Sequence, residues 1–138
     1  MHERYIGSEA IIRTDKAVLM QLRDDIDKII YPNHWCLFGG HGQEDEDPID
    51  ILIRELEEEL SSSFAKEECL LWKSFDFKND DMNAKIYVYT IRVGVGEISR
   101  FSLREGQGMA FIPFKDLYKY TITPPEKRFL EEYCETQL

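Results

Sequence analysis

Three glutamates, Glu55, Glu58 and Glu59, stand at i, i+3 and i+4, a spacing that puts their side chains on one face of a helix. Like charges within one turn repel, each such pair costing about a few tenths of a kcal/mol in a bare helix. They also sit near the helix C-terminus, where the macrodipole disfavours anions. A sequence selected only for helix stability would put Lys there. A divalent cation reverses the sign of this cost. Hard carboxylate oxygens suit Mg²⁺ or Mn²⁺, which complete their shell with water and substrate phosphates. On an ordinary surface helix the same run is a solvated acidic face. The upstream context separates the two readings: a short strand ends in Gly39-Gly40-His41-Gly42, and an acidic loop then feeds the helix. Glycines let the backbone approach a metal or a phosphate closely.

The elements that position these groups follow from periodicity. Tyr5 to Arg13, the turn Thr14-Asp15-Lys16 and Ala17 to Arg23 read as a β-hairpin. Asp24 to Asn33 is acidic and turn-like, broken by Pro32. Trp35 to Phe38 reads as a short strand, and the glycine run after it as a loop that regular structure does not cover. Asp47 is placed to cap a helix opened by Pro48. Ile49, Leu52, Ile53, Leu56 and Leu60 form its expected buried stripe, with Glu57, Asp50 and Arg54 turned away and Ser61-Ser62-Ser63 ending it. Leu70 to Phe77 and Lys85 to Val95 read as strands joined by a turn at Asn79-Asp80-Asp81, and Met109 to Pro113 as another. Phe114 to Tyr120 is a candidate helical turn. Pro124-Pro125 opens a terminal helix with Phe129, Leu130 and Tyr133 as its apolar face. Strands on both sides of a central helix, with a second helix at the end, predict an α/β fold: a mixed sheet packed between helices.

The 138 residues suit a single domain, 1–138, and 43% hydrophobic residues suffice for a core. The formal charge is −10, which argues against a nucleic-acid duplex as partner and against docking on an anionic membrane. It does not exclude a phosphorylated ligand reached through a cation. The charge is also local. From Glu44 to Glu59 there are nine acids and one base, a net −8, and the rest of the chain is close to neutral. No run of 18 apolar residues spans a bilayer, and Met1 to Tyr5 shows no apolar leader core. Cys36, Cys69 and Cys134 are odd in number with no CxxC pair, so lone thiols in a reducing cytoplasm are expected.

The run Gly40-x5-Glu46-x7-Arg54-Glu55-Leu56-x-Glu58-Glu59 resembles the Nudix box, Gly-x5-Glu-x7-Arg-Glu-U-x-Glu-Glu-x-Gly-U with U a bulky aliphatic residue. Seven specified positions match over 20 residues. Ser61 stands where the box has its last Gly, Ser62 where it has its last aliphatic residue, and Phe38 where many members carry Pro before the glycines. Phe64 is the candidate for the missing apolar contact. The resemblance implies a Nudix-type α/β/α sandwich. It also implies a Mg²⁺- or Mn²⁺-dependent hydrolase that cleaves a nucleoside diphosphate linked to another group at its pyrophosphate. By that resemblance Glu55 and Glu59 are the principal metal ligands, Glu58 is a further ligand or the water-orienting base, and the Gly40 carbonyl is a backbone ligand. Glu46 assists the metal site or its water, and Arg54 orients the catalytic carboxylates. Some members recruit a glutamate from the second half of the chain, for which Glu105 in Arg104-Glu105-Gly106-Gln107-Gly108 is the candidate. A homodimer is common among similar proteins.

Arg23, Gly39 and His41 are the candidate substrate-binding residues: Arg23 to reach a phosphate, the other two in the glycine run. Trp35, Tyr31 and Phe77 are either bases' stacking partners or core. Two other functions stay in competition with catalysis: a nucleotide-sensing domain of the same fold that binds without hydrolysis, and an acidic domain whose glutamates merely face water. Substrate identity does not follow from the box, since specificity lies in loops and the sheet face.

Overall fold

In the computed structural model, which describes residues 4–78 and 83–138, the apolar stretches assemble into one seven-stranded mixed sheet between two helices. The strands are β1 (Tyr5–Arg13), β2 (Ala17–Leu22), β3 (Trp35–Cys36), β4 (Phe38–Gly42), β5 (Leu70–Lys78), β6 (Asn83–Arg92) and β7 (Gly108–Pro113). The helices are α1 (Pro48–Leu60) and α2 (Pro124–Gln137), with 3-10 turns at Lys66–Glu68, Val95–Arg100 and Phe114–Lys119. The order β3-β2-β1-β6-β5 runs across the sheet, with β4 on β1 and β7 on β2. β1 is parallel to β6 and antiparallel to β4.

Successive side chains of a strand point to opposite faces, and β1 uses this to serve two cores. Ala10 and Ile12 join Leu52, Leu56 and Leu60 of α1. Ile11 joins Phe129, Leu130 and Tyr133 of α2. Asp47 caps α1, its carboxylate accepting from the Ile49 N–H at 3.3 Å, with Pro48 opening the helix as expected.

Four expectations need correction. The first hairpin is closed only at its turn end, with Arg13 opposite Val18. Beyond that β1 pairs with β4, while β2 pairs with β3 and β7, so the two arms splay and leave a gap. The glycine run is no loop: Phe38 to Gly42 lies as β4 against β1, with glycine at the positions where β1 or α1 comes closest. A Cβ at Gly39 would lie 2.7 Å from the Glu9 Cα, and Gly39 has φ of 154°, a backbone that favours glycine. A Cβ at Gly40 would overlap the Glu55 carboxyl group. Third, the buried side of α1 includes Ile51 and Glu59, whereas Ile49 and Ile53 are only partly buried. Fourth, the strand expected to reach Val95 ends at Arg92, and the Val95–Arg100 turn follows. The turn expected at Asn79-Asp80-Asp81 lies outside the described residues. Among the described residues no helix is long and apolar enough to cross a membrane.

Candidate active site

The gap between the splayed arms is a cavity of about 550 Å³. At one end stands α1. Its Glu59 is buried (6% exposed), and the carboxylate accepts the Gly39 N–H at 2.9 Å. Burial, then repulsion from Glu105, Glu55 and Glu58, pushes Glu59 up to about 8 despite that hydrogen bond. Glu55 lines the same end half-buried, raised by burial and by the charges of Glu58 and Glu105. Such mutual repulsion is what a bound cation would relieve.

Glu105 reaches this end from the opposite side. The loop before β7 donates its Ser102 and Arg104 N–H groups to the Leu60 and Glu59 carbonyls at 2.9 Å each. Those bonds satisfy carbonyls that the end of α1 leaves open, and they hang Glu105 over the cavity. Its own carbonyl takes the Gln21 side-chain N–H at 2.9 Å.

Arg54 and Glu46 stand beside the cavity rather than in its lining. Arg54 donates to Glu46 at 2.7 Å and to the His41 carbonyl at 3.3 Å, and pairs with Glu55 at 3.7 Å. Glu46 also accepts the Gln43 N–H, and the two donors hold it below the usual carboxylate range. The pair braces the glycine strand against α1. Glu58, which the i, i+3, i+4 spacing puts on the same helix face as Glu55 and Glu59, is exposed and outside the lining. Among the described residues no three His, Cys, Asp or Glu side chains are gathered to hold a metal ion. The donor set at the α1 end, Glu55 and Glu59 with Glu105 opposite, is nevertheless the all-oxygen kind a hard cation takes.

The box departures have local answers. Ser61 itself takes the left-handed conformation, φ 53° and ψ 33°, its N–H returning to the Glu57 carbonyl. Ser62 is buried and its hydroxyl accepts from Arg100 at 2.9 Å. Phe64 is buried against Phe101 in the α1-side core.

Of the candidate substrate residues, Gly39, His41 and Arg23 all line the cavity. Arg23, however, stands at the end away from α1, its Nε donating to the Ile30 carbonyl at 3.0 Å. Trp35, Tyr31 and Phe77 do not line the cavity; Trp35 packs edge-on against Tyr120 and Phe77 against Phe129. Residues that sequence reasoning missed line it instead: Glu9 of β1, Gln21 of β2 and Glu126 of α2. One signal was available for Glu9, the one acid in the strand Tyr5–Arg13. Glu126 carried another, as the last residue of the capping-box pattern Thr123-Pro124-Pro125-Glu126. Cys36, Cys69 and Cys134 are free thiols.

The NUDIX domain model matches residues 4–133, and the chain belongs to the Nudix family. Comparison with curated proteins gave no match. Among solved structures, the chain is similar to a MutT NUDIX hydrolase from Burkholderia pseudomallei, with 21% identity, 94% of this chain and 98% of that one covered, and a TM-score of 0.74. It is also similar to a MutT protein from Methanosarcina mazei, with 19% identity, coverage of 96% and 94%, and a TM-score of 0.75. A third is the NUDIX domain of NrtR from Shewanella oneidensis, solved with ADP ribose, with 14% identity, coverage of 100% and 91%, and a TM-score of 0.74. These likenesses establish the α/β/α fold.

Proposed function

We propose that this Nudix protein hydrolyses the pyrophosphate linkage of a nucleoside diphosphate joined to another group, with Mg²⁺ or Mn²⁺ at the α1 end of its cavity. The observation that carries this reading is that Glu55 and Glu59, two acids of the box, share a cavity wall with Glu105 facing them. Glu55, Glu59, the Gly40 carbonyl and, from the rim, Glu58 are the oxygen donors for the cation. When bound, the cation neutralises phosphate oxygens and lowers the pKa of a water for in-line attack on phosphorus. The chain's own groups do the rest. The Gly39 N–H fixes one oxygen of Glu59. Arg54, anchored by Glu46, holds the Glu55 carboxylate toward the cavity. Glu58 and Glu105 are the free carboxylates available to take the proton from the attacking water. A strongly acidic wall thus accepts a polyanion through cations.

The test is product release from nucleoside triphosphates, nucleotide sugars, ADP-ribose and dinucleoside polyphosphates with Mg²⁺ or Mn²⁺. Turnover of at least one, lost on chelation, is expected; no turnover of any sinks the reading. One observation favours a second reading, binding without hydrolysis: Glu58 is exposed and outside the cavity lining. Under it, calorimetry shows metal-dependent nucleotide binding while no product forms.

A further inference from the structure

Gln21 is the one polar side chain of β2, Ala17–Leu22, and it is buried, at 6% exposure. A buried amide is costly unless its donor and acceptor ends both find partners, and an apolar side chain could fill the same place beside Leu19 and Met20. Strand pairing sets Gln21 between Cys36 of β3 and Met109 of β7. Its partners fix which way the amide lies. Burial pushes the Cys36 thiol up to about 12, so it keeps its proton and donates to the Gln21 Oε1 at 3.7 Å. The Nε2 then donates to the main-chain carbonyl of Glu105 at 2.9 Å. Other bonds hold the loop on either side of that contact. The Arg104 N–H donates to the Glu59 carbonyl at 2.9 Å, and the Gln107 N–H to the Leu22 carbonyl at 2.8 Å. The Gln107 side chain donates to the Arg23 carbonyl and to the Asn33 Oδ1. Between these anchors lies Gly106, with φ of 85°. A Cβ there would lie 2.6 Å from the Leu22 carbonyl oxygen and 3.0 Å from the Gln21 Nε2, so the loop rests directly on the Gln21 amide. Glycine takes φ of either sign, so Gly106 does not by itself hold the peptide that joins it to Glu105. The bond from Gln21 holds it.

Resting on the hydrolase reading, in which Glu105 faces the box glutamates across the cavity, we infer that Gln21 is a positioning residue: through the Glu105 carbonyl it sets where the Glu105 carboxylate stands before Glu55 and Glu59. A carboxylate that takes a proton from water acts only from within hydrogen-bond reach, and a displacement of about 1 Å is enough to lose much of its effect. Gln21 also lines the cavity, so direct contact with substrate is the rival role. The two roles differ in kinetics. Loss of a substrate contact raises KM, whereas loss of Glu105 placement lowers kcat.

The experiment measures kcat and KM with Mg²⁺ on whichever nucleoside triphosphate, nucleotide sugar, ADP-ribose or dinucleoside polyphosphate is turned over fastest. It compares the wild type, Gln21→Met, Glu105→Gln and the double variant. Methionine keeps the length of the side chain and loses its donor, and melting temperatures control for folding. Gln21→Met should lower kcat about 10-fold with KM within about 3-fold. In the Glu105→Gln background it should change kcat by less than about 2-fold, because the group it places is gone. Gly106→Ala, which moves the loop off Gln21 without entering the core, should behave in the same way and takes its place if Gln21→Met does not fold. An unchanged kcat, a rise in KM alone, or equal losses of kcat in the two backgrounds overturns this inference and leaves the hydrolase reading standing. If the wild type turns over none of these substrates, calorimetry with Mn²⁺ decides. Binding weakened by Gln21→Met in the wild-type background and not in the Glu105→Gln background supports the placement, and any other pattern overturns it.

Discussion

The two ends of the cavity use the same functional group in opposite ways. At the α1 end, carboxylates 4 residues apart on one helix, the half-buried Glu55 and the buried Glu59, line the cavity with Arg54 alongside Glu55. At the other end, Glu9 and Glu126 come from a strand and a helix distant in the chain and are hydrogen-bonded to each other. The first arrangement is an acid cluster whose repulsion a cation relieves. In the second, one acid holds a proton and is itself the other's partner. Carboxylates alone do not define a metal site; what distinguishes the ends is whether open coordination space and a second oxygen donor set, here Glu105, stand before them.

The largest effect should separate the ends by chemistry. Glu59→Gln removes a cation ligand, and turnover at saturating substrate should fall on the order of 10²-fold or more with the fold retained. Glu58→Gln should fall comparably if the exposed Glu58 swings in to serve as ligand or base. A Glu58→Gln variant with unchanged kcat would remove Glu58 from the site and leave Glu105 as the proton acceptor.

Next in size is the pH dependence of stability without metal. Glu59 has a folded value of about 8 against an ordinary 4.5. Between those values the folded protein holds a proton that the unfolded chain has released. Stability therefore falls as pH rises across that window, by at most about 1.4 kcal/mol per pH unit for one full proton. Glu9 is raised too and acts with the same sign. Mg²⁺ or Mn²⁺ competes with the Glu59 proton, so the rise in melting temperature on adding metal should grow from pH 5 toward pH 8. Thermal melts at fixed ionic strength test this. Glu59→Gln should abolish the metal-induced rise, and Glu9→Gln should leave it intact while flattening the metal-free slope. A metal effect removed by Glu9→Gln would merge the two ends into one site.

The same contrast explains what could be read without a structure. The α1 end was legible because its parts are local: a cap at Asp47, a proline at Pro48, and glutamates whose helical period places them together. The β1–α2 end depends on tertiary contacts. No spacing links Glu9 to Glu126, and only the sheet order, with the first hairpin splayed, brings them to one cavity. The extended glycine strand was missed for a related reason. Its glycines read as turn residues locally, but their lack of side chains serves close packing against Ser8, Glu9 and Glu55. Glu58 differs in exposure from Glu55 and Glu59 because a helical wheel fixes angle only, and the neighbouring strands decide where water begins.

The smallest expected effect isolates the end of α1 from both sets of acids. Ser61 holds a left-handed backbone, φ 53°, which costs a residue with a Cβ about 1–2 kcal/mol relative to glycine. Glycine gives back part of that through its greater freedom in the unfolded chain, about 0.5–1 kcal/mol. Ser61→Gly also forgoes the contact between the Ser61 hydroxyl and Arg104 Nε, at the surface. The balance favours glycine by about 0.5–1 kcal/mol, a rise of about 2–4 °C in melting temperature. The Glu59 carbonyl keeps its bond from the Arg104 N–H, which does not involve the Ser61 side chain, so Glu105 should stay over the cavity. Turnover should then be unchanged. If Ser61→Gly instead lowers kcat while raising stability, the hydroxyl contact to Arg104 is what aims Glu105, and the α1 end would depend on the loop before β7 as much as on its own helix.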